Sequence, residues 1–506
     1  MSGLFGTLHI GTNGMAAAQT ALQTTSHNIA NANTEGYSRQ RINFTASNPY
    51  TLPGVGQIGT GVKMQSVVRV VDDYLTEQTQ TEAATLEMYS QKADALGQLE
   101  SIFNEPSETG LSNSISKFYS AWAHLSANPE LTAAKTTVSQ EAETLTDTVN
   151  QMASQMQGLQ EATTQDISKQ VLDFNAKVKQ LDTLNQQIFS VAVKGQTPND
   201  LLDKRDELVG ELTKITSVKV ETDAFQRAFI SIGGTEILGE NTMRTLSVVT
   251  GTDEDGHALI STDGSKANTR PAGAVFEVGQ LVLGTETDGA TAFQAIESTS
   301  GHVRGSQEAL TEINTKIKEM DKLTTTMAKA VNTVHSGNGE GIAFFDLGSG
   351  ANAALNIKVN KEITTDPRNI NAGKSLTAAA AGDGTRAGAI ASLQTQILDY
   401  ATDENSFDYD ETTMALATQS GGRTTADAYN DIVTRMGSTK QQADHRVESQ
   451  GQVVSFLEER RASISGVSVN EEVVDIMKYQ SAFQANAKVL AVVSEMLDTL
   501  INRTGV

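Results

Sequence analysis

Apolar side chains recur in alternating steps of four and three residues at both ends of the chain. The N-terminal series is Leu4, Leu8, Gly11, Met15, Ala18, Leu22, Thr25 and Ile29. The C-terminal series is Val469, Val473, Ile476, Gln480, Phe483, Ala487, Leu490, Ser494, Leu497 and Ile501. Heptad spacing of this kind predicts helices that pack along a narrow seam, with Gly11 and Thr25 as its weak points.

The C-terminal helix carries a second apolar stripe beside the first. Its members are Tyr479, Ala482, Val489, Val493, Met496 and Leu500. The combined face is wider than a two-stranded seam needs, so we expect burial on two sides, by the N-terminal helix and by another surface. Burial of each Leu or Val contributes about 1.5–3 kcal/mol, which the ordering of two mobile ends partly offsets. The alternative is that both ends are core helices of an ordinary bundle.

The middle of the chain changes period twice. Helical spacing covers 70–102, 112–126, 131–192, 303–335, 384–402 and 410–462, with breaks at Pro106 and Pro129. Glycine recurs between 221 and 305, where the alternating runs 228–232 and 274–278 predict strands. Short strands are also expected within 342–380, including 355–359. The fold class predicted is mainly α with an inserted β domain.

This pattern predicts a nested domain organisation. Residues 1–45 and 463–506 form a terminal coiled coil in which the first and last helices pair. Residues 46–220, 303–337 and 381–462 form a long-helix bundle body. Residues 221–302 form an outer β-rich domain, and 338–380 are left open as additional β structure.

Composition excludes several classes of protein. The 506 residues contain no cysteine, so disulfides, thiolate metal sites and cysteine nucleophiles are ruled out. A net charge of −23 disfavours binding to nucleic acid and to anionic membranes. The sequence also lacks an apolar run of about eighteen residues, so no membrane-spanning segment is predicted. Residues 1–34 contain no Asp, Glu, Lys or Arg, and polar residues interrupt their apolar positions. A Sec signal is therefore not expected.

Candidate chemical sites are weak. The seven histidines never approach metal-ligand spacing. Residues 253–256 lack the full ligand pattern of a calcium loop, and a hairpin turn fits them better. The glycine-rich run 337–341 lacks the Lys and Ser or Thr of a phosphate-binding loop. We expect no catalytic residue, metal or cofactor.

Both ends resemble one family of proteins. The N-terminal motif consists of Asn28, Ile29, Ala30, Asn31, Thr34, Gly36 and Tyr37. It resembles the signature N-I-A-N-x-x-T-x-G-Y of bacterial flagellar rod, hook and hook-associated proteins. The segments 468–472 and 477–489 resemble the matching C-terminal end. A polar helix terminus would also explain the N-terminal residues, but not the full match.

An internal motif narrows the resemblance. Within 200–208, Leu202, Asp203, Arg205, Asp206 and Leu208 resemble the element D-L-x-D-x-R-D-x-L of the hook-associated member found at the hook–filament junction. Rod and hook proteins lack this helical element. From its sequence neighbours alone, Arg205 is expected to make surface or inter-helix ion pairs, each contributing at most about 1 kcal/mol. The segment 221–300 matches no motif, so its binding role stays open.

The resemblance implies a structural axial protein, not an enzyme, that acts as an adaptor at the hook–filament junction and is needed for filament assembly and motility. It implies assembly through Leu4, Leu8, Met15, Leu22 and Ile29. It implies both assembly and chaperone binding through Val469, Val473, Ile476, Tyr479, Phe483, Val489, Leu490, Val493, Leu497 and Leu500.

The resemblance also implies a set of partners and a location. The partners are copies of the chain itself, the hook protein, hook-associated protein 3, a flagellar export chaperone and the type III export apparatus. The location is extracellular, on the flagellum, reached without a Sec signal. The alternatives are another axial protein, namely the hook protein or hook-associated protein 3, and a secreted hydrolase.

Overall fold

The computed structural model describes residues 3–52, 54, 56–253, 258–261, 276–287, 290–348, 352–377, 380, 382–400 and 407–503. Long helices dominate this part of the chain. In order they are α1 (Leu4–Ala30), α2 (Asp73–Phe103), α3 (Leu111–Ala127), α4 (Thr132–Ala192), α5 (Asn199–Ile215), α6 (Gly301–Ser336), α7 (Ala353–Asn356), α8 (Lys361–Thr365), α9 (Thr385–Ser392), α10 (Thr425–Ser465) and α11 (Val469–Asp498).

The strands form small antiparallel sheets. They are β1 (Gln40–Ala46), β2 (Tyr50–Leu52), β3 (Gly56–Ile58), β4 (Val62–Arg69), β5 (Lys219–Thr222), β6 (Ala228–Ile232), β7 (Thr235–Leu238), β8 (Leu246–Thr252), β9 (Ala258–Ser261), β10 (Leu281–Thr287), β11 (Ala290–Ile296), β12 (Phe345–Asp346), β13 (Lys358–Val359), β14 (Tyr409–Asp410) and β15 (Ala415–Leu416). Their orders are β1-β4, β2-β3, β5-β6-β7, β11-β10-β8-β9, β12-β13 and β14-β15.

The first and last helices, α1 and α11, pack side by side. They run antiparallel, because Gly11 of α1 lies against Leu490 near one end and Asn28 contacts Glu472 near the other. A Cβ atom on Gly11 would lie 3.1 Å from Leu490 Cγ, and one on Gly14 would lie 2.5 Å from Asn486 Oδ1. The prediction that Gly11 weakens the seam is wrong, since its missing side chain lets the two helices approach closely.

A β ribbon accompanies α1. We define the ribbon as residues 40–69, in which β1 pairs with β4 and the short β2–β3 hairpin forms the tip. Its base lies at Asn28, which bonds to Gln40, and Gly61 lies against Ile10 further along α1. The prediction that residues 46–69 belong to the helical body is wrong. The ribbon residues are mostly exposed, so their pattern lacks the alternation that marks a half-buried strand.

The helical body is built from α2, α4, α6 and α10, with α3 packed on α4. Its core includes the aromatic side chains Phe118, Trp122 and Phe344, all fully buried. Trp122 meets Phe344 edge to face with ring centroids 5.2 Å apart. Aromatic pairs in a core prefer this edge-to-face arrangement. The predicted helices 70–102, 112–126, 131–192 and 303–335 lie within a few residues of the observed ones.

Helix α4 joins two hydrophobic cores. It is 61 residues long, which corresponds to about 90 Å at 1.5 Å per residue. Its N-terminal half packs in the helical core through side chains such as Val138 and Leu145. Its C-terminal half packs with α5 and the inserted sheets through Ile167, Phe174 and Leu181. The helical body and the β-rich region therefore share one continuous helix.

The inserted region is β-rich, as predicted. Ala228, Ile230 and Ile232 alternate as buried positions along β6, which matches the predicted strand 228–232. The predicted strand at 274–278 is wrong for its described part, because 276–278 form a loop and turn before β10; 274 and 275 lie outside the described residues. The proposed hairpin at 253–256 also falls mainly on residues outside the described part.

Two predicted helices in the C-terminal half are wrong in extent. The helix expected at 384–402 ends at Ser392, and the one expected at 410–462 begins only at Thr425. Between them, the Asp410 carboxylate accepts hydrogen bonds from Thr412 N and Thr413 Oγ1, both at 2.8 Å. Such local side-chain bonds compete with helix formation and fix the β14–β15 hairpin. The expected strand at 355–359 is reduced to β13, because 353–356 form the short helix α7.

Arg386 organises the irregular segment around this hairpin. It is fully buried and donates to the carbonyls of Gly373, Lys374 and Val334. Its guanidinium also lies 3.0 Å from Glu411 Oε1. Because its five N–H donors are directed at fixed acceptors, this one side chain holds together the C-terminal end of α6, the loop at 373–374 and the β14–β15 hairpin. The sequence pattern gave no sign of this residue.

His302, near the start of α6, bridges three helices. Its Nε2 lies 2.5 Å from Asp166 Oδ2 on α4, and its Nδ1 lies 3.2 Å from Glu87 Oε1 on α2. Burial opposes a charge on the ring, but the hydrogen bonds and charges of Asp166 and Glu87 outweigh it and raise the pKa of His302 to about 9. The imidazolium therefore ties the three helices together at neutral pH.

We predict that alkaline pH weakens this tie. The pKa of His302 is higher in the folded chain than the ordinary 6.5, so its stabilising contribution is complete below pH 6.5 and is lost as the pH rises through 9. The free energy of unfolding should fall by about 2–3 kcal/mol across this window. Urea unfolding at stepped pH values measures it. The variant His302→Gln should lose this part of the pH dependence, and an unchanged slope would contradict the assignment.

A second prediction concerns the packing of α2 against α6. A Cβ atom on Gly305 would lie 2.4 Å from the carbonyl oxygen of Met88. Gly305→Ala should therefore reduce the free energy of unfolding by about 1–3 kcal/mol through overpacking. The control is Gly158→Ala in α4, where a Cβ would meet nothing within 4 Å. That change should instead stabilise the helix by about 0.5–1 kcal/mol.

Candidate assembly site

The three sequence motifs meet in one place, which we call the polar node. It contains His27, Asn28, Tyr37, Arg39 and Gln40 from the N-terminal segment, Arg69 from the ribbon, Asp200, Asp203, Arg205 and Asp206 from α5, and Glu471 and Glu472 from α11. These residues lie far apart in the sequence. The node joins the paired terminal helices to the helical body.

Asn28 is the centre of the node and is almost fully buried. Its Nδ2 donates to the Gln40 carbonyl at 2.9 Å and to Glu472 Oε2 at 3.0 Å. Its Oδ1 accepts from the Tyr37 hydroxyl at 2.8 Å and from Gln40 N at 3.0 Å. A side-chain amide offers two donors and two acceptor lone pairs, so all its hydrogen-bonding capacity is used.

Tyr37 closes the turn that follows α1. Its hydroxyl lies 3.0 Å from His27 Nδ1 in addition to its bond to Asn28. Burial, together with the charges of Asp200, Asp203 and Glu472, raises the pKa of Tyr37 above its ordinary value. The phenol therefore stays protonated and available as a donor. Gly36 precedes it at φ +76°, a left-handed conformation that favours glycine.

Arg39 links this turn to the start of α11. Its Nη1 lies 2.9 Å from Glu471 Oε2, and its Nε lies 2.8 Å from Glu472 Oε1. Its backbone N–H donates to the carbonyl of Ser465, the last residue of α10, at 2.8 Å. Glu472 is buried, so Arg39 and Asn28 together compensate the cost of removing its carboxylate from water.

Helix α5 supplies the other side of the node. Asp203 accepts from Ser38 N at 3.2 Å and from Arg69 Nη1 at 2.8 Å. Arg69 also donates to Asp206 at 2.8 Å. Although burial opposes the charge, Asp206 and Asp203 raise the pKa of Arg69. The carboxylates of the internal motif thus hold the base of the ribbon.

The expectation of surface or inter-helix ion pairs for Arg205 is wrong, because its side chain is buried and its ion pair is with Asp206 of the same helix. Its Nε donates to Asp206 at 2.8 Å, and its Nη1 donates to the carbonyl of Gln226 at 2.6 Å. The guanidinium therefore fastens α5 to the turn before β6. Of the apolar motif residues, Leu202 is buried and Leu208 packs half-buried beside the β-rich core.

The remaining N-terminal motif residues finish helix α1. Asn31 Nδ2 donates to the His27 carbonyl at 3.0 Å, and Thr34 Oγ1 donates to Asn31 Oδ1 at 3.2 Å. Ile29 is half-buried and Ala30 is exposed. These residues therefore end the helix, whereas Asn28 and Tyr37 reach across to other elements.

The N-terminal seam residues Leu4, Leu8, Met15, Leu22 and Ile29 are all half-buried. The fully buried positions of α1 are smaller residues such as Ala17, Ala18 and Ala21. Small buried side chains allow close helix packing, whereas the half-buried larger ones lie at the margin of the contact. Part of the apolar surface of these seam residues therefore stays accessible for contact with another surface.

The C-terminal seam residues divide between two faces of α11. Ile476, Tyr479, Phe483, Leu490 and Leu497 are half-buried and Val493 is buried. In contrast, Val469, Val473 and Val489 of α11, and Leu500 just beyond its end, are between 41% and 58% exposed. We call the exposed apolar residues of the helix the outer face of α11; they are Val469, Val473, Val474, Met477, Val489, Val492 and Met496. A row of exposed apolar side chains of this extent marks an interaction surface.

The described residues offer little for catalysis or metal binding. No group of three or more His, Asp or Glu side chains among them could hold a metal ion. None of the helices in the described ranges combines the length and apolarity that crossing a bilayer requires. The chemistry of the polar node is hydrogen bonding and ion pairing, and that of the outer face is apolar contact.

Comparison with protein families gives three matches along the chain. Residues 96–345 match the family described as "Flagellar hook-associated protein FlgK helical domain". Residues 8–37 match "Flagella basal body rod protein", and residues 460–503 match "Flagellar basal body rod FlgEFG protein C-terminal". The terminal matches include α1 and α11, and the central match includes α5.

Curated relatives are similar over the whole length. The flagellar hook-associated protein 1 of Bacillus subtilis (strain 168) is 28% identical over 535 residues, covering 100% of this chain and 99% of the relative. The protein of the same name from Salmonella typhimurium is 26% identical, covering 97% and 98%. That of Escherichia coli (strain K12) is also 26% identical, with the same coverage.

A solved structure has a similar fold. It is the flagellar hook junction protein FlgK from Burkholderia pseudomallei, which matches with a TM-score of 0.59 at 14% identity. The match covers 77% of this chain and 100% of that one. At this identity the likeness concerns the fold, namely long helices with β-containing parts.

The polar node yields a testable prediction. Asn28→Ala should leave the Gln40 backbone unpaired and Glu472 with Arg39 alone, at a cost of about 2–4 kcal/mol. The loss should be local, so amide exchange should speed up in α1 and α11 while α3 stays protected. The control is Asn33→Ala, an exposed position in the same turn. Equal exchange of α1 and α11 in both variants would show that Asn28 does not hold the terminal pair.

Proposed function

We propose that the chain belongs to the family of flagellar hook-associated proteins, that it is a structural axial component of the hook–filament junction, and that its copies assemble there through their paired terminal helices. In this role it is an adaptor on which filament assembly and motility depend. The single observation that carries the assembly proposal is the exposed outer face of α11.

The outer face needs a partner that α1 does not supply. Its members Val473, Met477 and Met496 remain about half exposed although α11 is already paired along its opposite side. Contacts between two different surfaces of identical chains generate an open helical assembly when their rotation does not close a ring. The terminal pair of each copy would then pack against its neighbours near the axis, as a coiled-coil layer, with the helical body outside it.

The polar node would fix the terminal pair at a set angle to the body. Hydrogen bonds are directional, and Asn28 uses all four of its own. Apolar packing alone would permit sliding. A defined angle is useful in a tube, because each copy must present its outer face in the same orientation.

The neighbouring partners follow from the position at the junction. We propose that this chain contacts copies of itself, the hook protein on one side and hook-associated protein 3 on the other. The inserted sheets β5–β11 would project away from the axis, since they lie at the opposite end of α4 from the helical core.

Delivery to the junction would use the type III export apparatus without a Sec signal. We propose that an export chaperone covers the outer face of α11 before export, because the exposed valines and methionines would otherwise favour aggregation. The final location is then extracellular, on the flagellum.

A structural role is also preferred over catalysis. The relatives are named as flagellar hook-associated proteins. A secreted hydrolase would need a converging nucleophile, base and stabilising donors, which the polar node does not offer. The alternatives within the axial family, the hook protein and hook-associated protein 3, are disfavoured by the central match over 96–345.

The test uses a strain that lacks this protein. Such cells should keep their hooks, release unpolymerised flagellin and fail to swim, and the unchanged chain should restore filaments. Chains with Val473→Glu and Met477→Glu, or lacking residues 467–506, should fold in the body but fail to restore them. The added charges lie on an already exposed surface, so their cost arises when a partner buries them.

The matched control is Gln151→Glu with Gln155→Glu, which adds the same charge at exposed polar positions four residues apart on α4. It should restore filaments more fully than the outer-face variant. Normal filaments from the truncated chain would contradict the proposal.

A further inference from the structure

The ribbon is an electrically distinct part of the chain. Residues 1–71 contain one acidic side chain, Glu35, and four basic ones, Arg39, Arg41, Lys63 and Arg69. This segment is therefore +3 within a chain whose total is −23. Between residues 36 and 71 there is no acidic side chain at all. Positive charge concentrated on one exposed element points to an anionic surface as its target.

Two of these cations take no part in an ion pair within the described residues, although the charge of Arg41 acts on the Tyr479 phenol of α11. Arg39 and Arg69 belong to the polar node, but Arg41 and Lys63 are exposed and make no ion pair with any described residue. They share one face of the ribbon, because Lys63 lies directly opposite Thr45, and Thr45 and Arg41 are four residues apart on β1. Phe44 and Met64, which lie opposite each other, occupy the other face together with the buried Ile42.

A matching surface lies at the start of α2. Asp73, Tyr74 and Glu77 are all exposed and lie on one side of the helix, away from the buried Leu75 and Thr79. Tyr74 is 76% exposed, an unusual degree for an aromatic ring. Neither acidic side chain forms an ion pair within the described part of the chain. Two carboxylates beside an exposed ring can bind basic side chains through ion pairing and cation–π contact.

Lys63 cannot reach this surface on its own chain, and Arg41, at the base of the ribbon, makes no ion pair with it. Lys63 is six residues before Arg69, which the polar node holds close to the start of α2. The ribbon runs from there along α1 towards Ile10, so the Lys63 side chain lies about 20 Å away at 3.3 Å per residue. A second copy displaced along the axis by about that distance would bring the two surfaces together.

We propose that the cationic face of the ribbon, Arg41 and Lys63, docks on Asp73, Tyr74 and Glu77 of a second copy of this chain. The proposal rests on the proposed function, which places copies side by side. Chains of charge −23 repel one another, and this contact sets the positive segment of one copy against the negative surface of the next. The ribbon and the start of α2 are different surfaces, as an open helical assembly requires.

The test is a charge exchange in the strain that lacks this protein. Arg41→Glu with Lys63→Glu should lower the amount of this chain in isolated flagella by about tenfold or more, because like charges would then face each other. Asp73→Lys with Glu77→Lys should do the same. All four substitutions together should restore incorporation to within about twofold, since the attraction is then reversed rather than lost.

The control is Lys169→Glu with Lys179→Glu, which makes the same change of charge at exposed positions of α4. It should be incorporated normally. Thermal unfolding of each purified variant establishes that its fold is intact. Full incorporation of either two-charge variant, or failure of a stably folded four-charge variant, would overturn the proposal.

A second measurement does not depend on charge. The chain has no cysteine, so copies carrying Lys63→Cys and copies carrying Glu77→Cys can be expressed together and oxidised in isolated flagella. The proposal expects a disulfide-linked dimer, which Lys63→Cys paired with Lys179→Cys should not give. Absence of the dimer when both copies are present in flagella would refute the docking. If the unchanged chain is missing from flagella, the proposed function itself fails.

Discussion

The structure depends on how the side chain of Asn28 is satisfied. A buried amide without partners costs free energy, and this one makes four hydrogen bonds to three residues: one to Tyr37, two to the Gln40 backbone and one to Glu472. None of these residues can be placed without the others. The ends of the chain are consequently held to the body by directional polar contacts, although each end is itself a helix with an apolar seam. Apolar packing thus sets the position of the two terminal helices along their seam, and directional polar contacts set their angle to the body.

The long helices and the inserted β region followed from periodicity, because apolar spacing reports burial directly. The ribbon did not, since strands exposed on both faces carry no alternation. The hairpin before α10 was missed because the hydrogen bonds of Asp410 act locally and leave no pattern over a longer window. The structural role of Arg386 was not predicted for another reason, because its acceptors are backbone carbonyls that only the fold brings together.

The candidate site was predictable in its residues but not in its geometry. The motif around Asn28, the start of α11 and the carboxylates of α5 were each recognisable alone, through a resemblance that says nothing about distance. Their meeting explains why Asp203 and Asp206 belong to the same pattern as Tyr37, since they fix Arg69 and Ser38. Conversely, which α11 residues face α1 and which face outward required the structure, because both stripes have helical spacing.

The shared helix α4 has a mechanical consequence. A load applied to the β-rich region is transmitted to the helical body by an uninterrupted rod of 61 residues, with no joint at which it could be relaxed. The terminal helix α11 and the ribbon are joined to the body by the short non-helical links at residues 466–468 and 70–72, which border the polar node. A load passed between the terminal pair and the body would cross these links. There, the ion pairs of Arg39 and Arg69 would resist a change in the angle between the two.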